Sequence, residues 1–360
     1  MADTVSTAAA RAQVWAKQIW AEAEKELYFA KMMGKTEPTL DKMVQSALNS
    51  IICLKEDLLS EGQKKEGYII NLQLAYQLTG DGVTGDTSLE TAEEAINTYN
   101  LAVTVQQYRN AVKDTGQYDN QKVKYDVRLM LKEMLKSWVR QKMDKLMFEA
   151  LSTSPTYSAT FASNRHLYGG SAANVAALDD STADTGELFD CRIIRKAKRL
   201  AEVSVPKIRP IIVDGNEYYV CIAHPYQIRS LHESSEWKNS HYYAADRGLK
   251  NPIFTGSDSI IDGVIIHSHK NIATAASGGE LSGDTASGAN TATDDVARAL
   301  FLGAQAGVIA MAKKPFWNEK FFEYGNEFGV ASGFIAGIAK TVFNSIDYAT
   351  IALDTTIETN

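Results

Sequence analysis

His267-x-His269 is the first place in this sequence where side chains of metal-binding type stand at a useful spacing. Alternate residues of a strand point to one face, so the two imidazoles would project together as a partial ligand set. A third ligand is needed, and Asp262 is the near candidate; a strand edge bearing two solvated histidines is the plainer reading. Gly34-Lys35-Thr36 looks like the end of a phosphate-binding loop, but such a loop needs a glycine five residues before its last one, and position 29 is Phe. Ile211-Ile212-Val213-Asp214 imitates a strand leading to a magnesium-holding Asp, and without the loop it is a strand running into a turn. His224-Pro225 reads as strand end and helix start. No serine stands in a Gly-x-Ser-x-Gly elbow, and Glu93-Glu94 lie in a solvated acidic run. The expectation is no catalytic residue, no cofactor and no metal. A rival reading as an α/β enzyme keeps a site near His224 or His267.

What the chain offers in place of a reacting constellation is shape. Tyr68, Ile70, Leu72, Leu74, Tyr76 and Leu78 are apolar at every second position, the period of a half-buried strand. Tyr99, Leu101, Val103 and Val105 answer them, and Gly80-Asp81-Gly82-Val83-Thr84-Gly85-Asp86 between the runs favours turns. At about 3.3 Å per residue each arm spans roughly 25–35 Å. A two-stranded ribbon is marginal in water by itself. It needs something to lie on, and a second copy of the chain would serve.

A long solitary helix follows. From Asn120 to Leu151 there is neither proline nor glycine, and Val123, Val127, Met130, Leu131, Met134, Leu135, Trp138, Val139, Met143, Leu146 and Met147 form an apolar stripe. At about 1.5 Å per residue this spine approaches 50 Å. Ribbon plus spine implies a flat, elongated protomer, the shape of a subunit that tiles a surface.

Charge is segregated along the chain. Residues 120–152 hold eight Lys/Arg against four Asp/Glu, and residues 54–100 hold three against nine. Opposite patches on one flat protomer favour contact between copies. The acidic end of the ribbon (Asp81, Asp86, Glu90, Glu93, Glu94) is therefore expected to meet a basic surface of a neighbour. Lys132, Lys136 and Arg140 on the spine, or the cluster from Arg192 to Arg199 with Arg195 and Lys196, are the candidates. The overall net charge of −7 and pI of about 5.5 do not advertise nucleic-acid binding. Cys53, Cys191 and Cys221 are odd in number and widely spaced, which fits free thiols in a reducing compartment. The first residues lack the apolar core of a signal peptide. The charge-free runs 299–312 and 328–339 are shorter than the roughly 20 residues that span a bilayer, so a soluble protein made in the cytoplasm is expected, with no membrane partner.

Residues 11–33 and 40–60 read as amphipathic helices, and residues 152–185 as a polar loop. Residues 186–270 read as a mixed α/β unit: a helix from near Gly186, strands Ile208–Val213 and Tyr218–Ala223 about a turn, a helix opened by Pro225, and a strand over Gly263–His269. Residues 274–295 are low in complexity. Gly325, Gly329, Gly333 and Gly337 recur every fourth residue, which points to close backbone packing.

In order along the chain, these segments resemble the major capsid proteins of tailed bacteriophages, in particular the podovirus-type family. The resemblance is carried by Leu78-Thr79-Gly80-Asp81-Gly82-Val83-Thr84-Gly85-Asp86-Thr87-Ser88-Leu89-Glu90 with Glu93-Glu94, and by Val103-Thr104-Val105-Gln106-Gln107-Tyr108-Arg109-Asn110-Ala111-Val112. Trp138, Asp144 and Phe148 on the spine follow, then His224-Pro225-Tyr226-Gln227, Leu302-Gly303-Ala304-Gln305-Ala306, Glu323-Tyr324-Gly325, Gly337-Ile338-Ala339-Lys340 and Asp347-Tyr348. Thr91-Ala92, where Gly-Asn would match, and Glu323, where Asp would match, depart from the pattern.

The resemblance implies an α+β fold, the tailed-phage major capsid protein fold of the HK type. Its parts would be an N-terminal arm (1–60), an extended β-hairpin loop (61–118), a peripheral domain with the spine helix (119–185), an axial domain (186–312) and C-terminal strands returning to the peripheral domain (313–360). It implies hexamers and pentamers forming an icosahedral shell around double-stranded DNA in the virion, assembled in the host cytoplasm with portal, scaffold and decoration proteins as partners. A cytoplasmic compartment shell of related fold is the rival from the same class. Tyr68, Ile70, Leu72, Leu74, Tyr76, Leu78, Glu90, Glu93, Glu94, Arg109, Arg195 and Lys196 are the expected inter-subunit contacts.

Overall fold

The computed structural model describes residues 26–35, 50–55, 69–75, 84, 98–114, 116–122, 127–153, 165–170, 178, 187–204, 207–213, 215–238, 259–274, 296–343 and 346–357. Short strands β1 (Met33–Lys35) and β2 (Ile52–Lys55) precede the ribbon strands β3 (Ile69–Ala75) and β4 (Thr98–Thr104). After β5 (Gln106–Lys113) come the short helix α1 (Gln117–Lys122) and the spine α2 (Val127–Ser152). Next are β6 (His166–Tyr168), α3 (Cys191–Val203), β7 (Ile211–Val213), β8 (Asn216–Ala223) and α4 (Pro225–Glu233). The chain ends with β9 (Ser259–Ile261), β10 (Val264–Ser268), β11 (Val296–Leu302), β12 (Gly307–Phe322), β13 (Glu327–Lys340), β14 (Val342–Phe343), β15 (Ile346–Asp347) and β16 (Thr350–Thr356).

The spine forms because Leu, Met, Lys, Arg, Glu and Gln fill it, all good helix formers, and it runs unbroken through Trp138 for 26 residues. The predicted start near Asn120 falls within α1, and residues 123–126 lie outside the described residues. Six of its buried residues, Leu131, Leu135, Val139, Met143, Met147 and Leu151, recur every fourth residue. Each step overshoots a full turn by about 40°, so the buried path winds around the helix. It therefore meets two different neighbours. Leu131 and Leu135 pack on Trp317 and Val330, whereas Val139 to Leu151 join the large core with Phe29, Phe148 and Phe334. This winding leaves Met130 and Met134 exposed at 39% and 48%, where the sequence places them on one stripe with Leu131. Trp138 is half-buried and packs on Phe334.

The spine lies on a five-stranded sheet ordered β1-β2-β12-β13-β5. The long antiparallel pair β12 and β13 dominates it. Ile52–Lys55 overturns the helical reading of residues 40–60 in this part: it is a strand, parallel to both β1 and β12. The well-spaced apolar residues Ile51, Ile52 and Leu54 suit either period, and burial between two strands decides it. Of the helix expected over residues 11–33, residues 28–32 form a 3-10 turn and Met33 enters β1, and residues 11–25 lie outside the described residues. Gly34-Lys35 sits in β1, not in a loop before a helix.

A seven-stranded sheet is ordered β6-β16-β11-β8-β10-β9, with β7 on β8. Its central strands β11 and β16 are buried along their whole length. The β7–β8 hairpin and the α4 helix form where the sequence places them. Helix α3 starts later than Gly186 because Asp190 caps it, accepting from the backbone N–H groups of Arg192 and Ile193, as a short polar side chain at that position does. Residues 313–360, read as one block returning to the spine, are divided. β12 and β13 lie in the five-stranded sheet, but β16 pairs with β11 and β6 in the other.

Candidate functional site

The ribbon is the first surface to place. β3 and β4 pair antiparallel in the register Ile70↔Val103, Leu72↔Leu101 and Leu74↔Tyr99. The two alternating runs thus oppose each other position by position. Tyr68, Tyr76, Leu78, Glu90, Glu93 and Glu94 lie outside the described residues, as do Asp81 and Asp86. At the ribbon's root Val103 and Val105 are buried. A Cβ at Gly337 would come within 2.7 Å of both Val103 Cγ1 and the Thr104 carbonyl oxygen. That glycine exists so that the ribbon's root can cross β13.

Both basic candidates for the ribbon's acidic end are already engaged inside the chain. On the spine, Lys136 pairs with Glu26 at 2.9 Å and Arg140 with the same carboxylate at 3.4 Å. In the second cluster, Arg195 Nε donates to Asp262 at 2.7 Å and its Nη1 to Glu236 at 2.5 Å. Those two carboxylates push the Arg195 guanidinium well above its ordinary range. Lys196 remains exposed beside it. Asp262, the supposed third metal ligand, is thereby occupied by Arg195.

The open face of the five-stranded sheet carries cations that sequence reasoning did not gather. The register places Lys113, Gly329 and Lys320 in one row across three strands, and Arg109, Gly333 and Phe316 in another. Alternation sends these residues to the face opposite Val330 and Phe334, which pack under the spine. Lys113 and Lys320 hold their ammonium groups over the Phe322 ring at 5.1 and 4.8 Å, and Lys313 sits over Phe316 at 5.0 Å. Glu327 pairs with Lys113. The glycines keep the middle strand low: a Cβ at Gly333 would meet the Tyr108 carbonyl oxygen at 2.5 Å. Arg109, exposed on β5, is brought to this face. Their common signal was the four-residue glycine spacing, which in a strand also marks one face.

The candidate histidines His224, His267 and His269 take structural places. His224 caps α4, accepting from the Tyr226 N–H at 3.4 Å, and Gln227 returns the bond to the His224 N–H at 3.0 Å. Gln227 also donates to the Ala297 carbonyl and to Thr355 Oγ1, stitching α4 onto β11 and β16. His267 is buried in β10, and His269 stacks on Phe148 at 4.4 Å with its pKa pushed down to about 4 by burial.

Beside it, Asp144 accepts from the Tyr28 N–H at 3.2 Å and pins the N-terminal segment to the spine. Burial raises the Asp144 pKa to about 6, against the opposing influence of that bond and of Arg140. The unfolded value is near 4. The folded protein thus binds this proton more tightly, and the group's contribution to stability is lost as pH rises through about 6. Asp144→Asn keeps an acceptor for Tyr28 and removes the charge. It is expected to raise the Tm by about 1–3 °C at pH 8, with the gain vanishing near pH 3, below the unfolded value; an equal Tm difference at both pH values would sink this account.

Residues 4–358 match the phage capsid protein family. The major capsid protein of Pseudomonas phage KPP25 is 27% identical, over 92% of this chain and 90% of that protein. The capsid of Ralstonia phage GP4 superposes with a TM-score of 0.73 at 29% identity, covering 92% of this chain and 91% of the other. A chain of the Cyanophage Pam1 capsid gives 0.70 at 22% identity, covering 92% of each, a likeness of fold.

Proposed function

The chain belongs to the phage capsid protein family, and from that premise we propose that its copies form hexamers and pentamers in an icosahedral shell around double-stranded DNA. It is a structural protein of the phage head, located in the virion capsid and not an enzyme, and its mixed α+β fold matches tailed-phage capsid structures. Within that fold the five-stranded sheet with the spine serves as the peripheral domain and the seven-stranded sheet as the axial domain. β3 and β4 form the extended loop. Portal, scaffold and decoration proteins are the further partners that such a shell implies.

One observation carries the reading. Among the described residues β3 and β4 pair only with each other, and a two-stranded ribbon with an apolar face needs a support. A neighbouring copy supplies it. The acidic end of the ribbon then has a receptor in Arg109, Lys313 and Lys320 on the open sheet face, since Lys113, Lys136, Arg140 and Arg195 already hold carboxylates in-chain.

Electron microscopy of the purified protein tests the shell, with closed particles expected and only dissolved monomers counting against it. The contact is tested by reversing Glu93 and Glu94 to Lys and following light scattering at low salt. Each exposed pair contributes only about 0–1 kcal/mol, but a closed shell repeats it in every copy. Assembly should slow, and Arg109→Glu with Lys320→Glu should restore it where changes at Arg195 and Lys196 do not. An unchanged rate in the Glu93/Glu94 reversal would remove the contact.

A further inference from the structure

The two large sheets share no strand. Among the described residues, β11 passes to β12 through residues 303–306, and β13 to β16 through residues 341–349. These two crossings are tied to each other. Thr341 Oγ1 donates to the Gln305 and Ala306 carbonyls at 2.7 and 3.1 Å, and the Gly303 N–H to the Ala349 carbonyl at 2.9 Å. The waist between the sheets is also tight, since a Cβ at Gly307 would meet Met147 Cε of the spine at 2.6 Å.

The spine ends at this waist. A helix leaves its last carbonyls without partners, and here the carbonyl of its last residue and that of the residue after it are taken by cations from different sheets. Arg298 Nη1, on β11 of the seven-stranded sheet, donates to the Ser152 carbonyl at 3.0 Å. Lys340 Nζ, at the end of β13 in the five-stranded sheet, donates to the Thr153 carbonyl at 3.0 Å. Each cation has its own carboxylate from the C-terminal segment. Arg298 forks onto Asp354 at 2.9 and 3.0 Å, and Lys340 pairs with Asp347 at 3.1 Å. None of the four is more than 8% exposed. His166 Nε2 lies 2.6 Å from Asp354, and Tyr168 Oη 3.0 Å from His166 Nδ1.

Apolar packing has no direction, whereas a forked guanidinium–carboxylate pair does. We propose that Arg298 and Lys340 form a clamp on the last turn of the spine that fixes the angle between the two sheets, and so the curvature at which copies meet. The inference rests on the shell-forming reading above. A helix end gripped from one sheet alone would leave the other free to tilt about the waist. Gripped from both, it holds one angle.

Two variants test the clamp, with circular dichroism as the check on folding and sedimentation with electron microscopy as the readout. In Arg298→Met/Asp354→Asn the buried charges go together, which spares the fold, and the new amide still serves His166. In Arg298→Lys the single ammonium reaches Asp354 or the Ser152 carbonyl, not both. Both variants are expected to fold and to give open sheets or particles whose diameters spread at least about twofold more widely, as loss of a specifying polar contact allows. Uniform particles of wild-type diameter from both variants would overturn the clamp, as would a double variant without native secondary structure, because the network would then be needed for folding itself. If the unaltered protein forms no particles, the shell reading fails and the clamp's role in curvature goes with it.

Discussion

Asp354→Ala is expected to cost the protomer about 3–5 kcal/mol at neutral pH, because it leaves a buried charge without its partner. A folded domain has only about 5–15 kcal/mol in hand, so this single change removes much of it. Arg298 and Asp354 are both fully buried and stand directly opposite on β11 and β16. Without the carboxylate, the guanidinium loses its counter-charge and keeps the Ser152 carbonyl as a neutral acceptor, and His166 loses its short bond. Burial by itself would raise the Asp354 pKa, but the His166 hydrogen bond and the Arg298 charge outweigh it and hold the carboxyl below its ordinary range. The pair therefore contributes fully above about pH 4, and the contribution is lost as pH falls through the lowered folded value. Denaturant titration should show the full deficit at pH 7 and a smaller one at pH 3. Arg298→Met in the Asp354→Ala background should recover most of the loss. A single-variant deficit under about 1 kcal/mol at pH 7 would mean that the site relaxes or admits water.

The contrast with Arg195 shows why geometry, and not charge count, ranks these pairs. Arg195 makes comparably short bonds to Asp262 and Glu236, but it is half exposed. Water replaces most of what is lost there, and Arg195→Ala belongs with surface pairs at about 0–1 kcal/mol.

The ribbon, the spine, the β7–β8 hairpin and the Pro225 helix were all legible because each is specified locally, by period, turn residues or absence of breakers. The buried network was not. His166 and Asp354 are 188 residues apart, and only a faint local signal marks them: Arg298 and Asp354 each interrupt an apolar strand with a charge. The in-chain partners of the basic patches are hidden from the sequence for the same reason. Counting residues showed that Lys136, Arg140 and Arg195 are basic, but not that Glu26, Asp262 and Glu236 meet them from distant segments. Ile52–Lys55 is ambiguous in the sequence because a short run of apolar residues fits both periods, and its strand partners β1 and β12 settle the matter from outside. What chain-local physics encodes can be read from the chain; what depends on which segments meet cannot.

Removing the ribbon is expected to abolish shells while leaving the protomer folded. The cut has to respect the root. A deletion from Gly67 to Asn110 would take Val103 and Val105, buried at 1% and 9% exposure, together with part of β5, an edge strand of the five-stranded sheet. Leu72 and Leu101 stand opposite each other, and cross-strand partners lie only about 4.5–5.5 Å apart. Residues 73–100 can therefore be replaced by Asn-Gly, a turn suited to joining two antiparallel strands. The shortened hairpin keeps its anchoring on Gly337, so thermal unfolding should stay close to that of the full chain. Assembly should not. If the ribbon contributes even about 3 kcal/mol per neighbour contact, its loss lowers each association constant by roughly 100-fold, and a shell needs many such contacts at once. Sedimentation should find monomers or small oligomers at concentrations where the full chain gives particles. Full-size particles from the shortened chain would show that the ribbon is dispensable, and the apolar face of Ile70, Leu72 and Leu74 would then need another explanation.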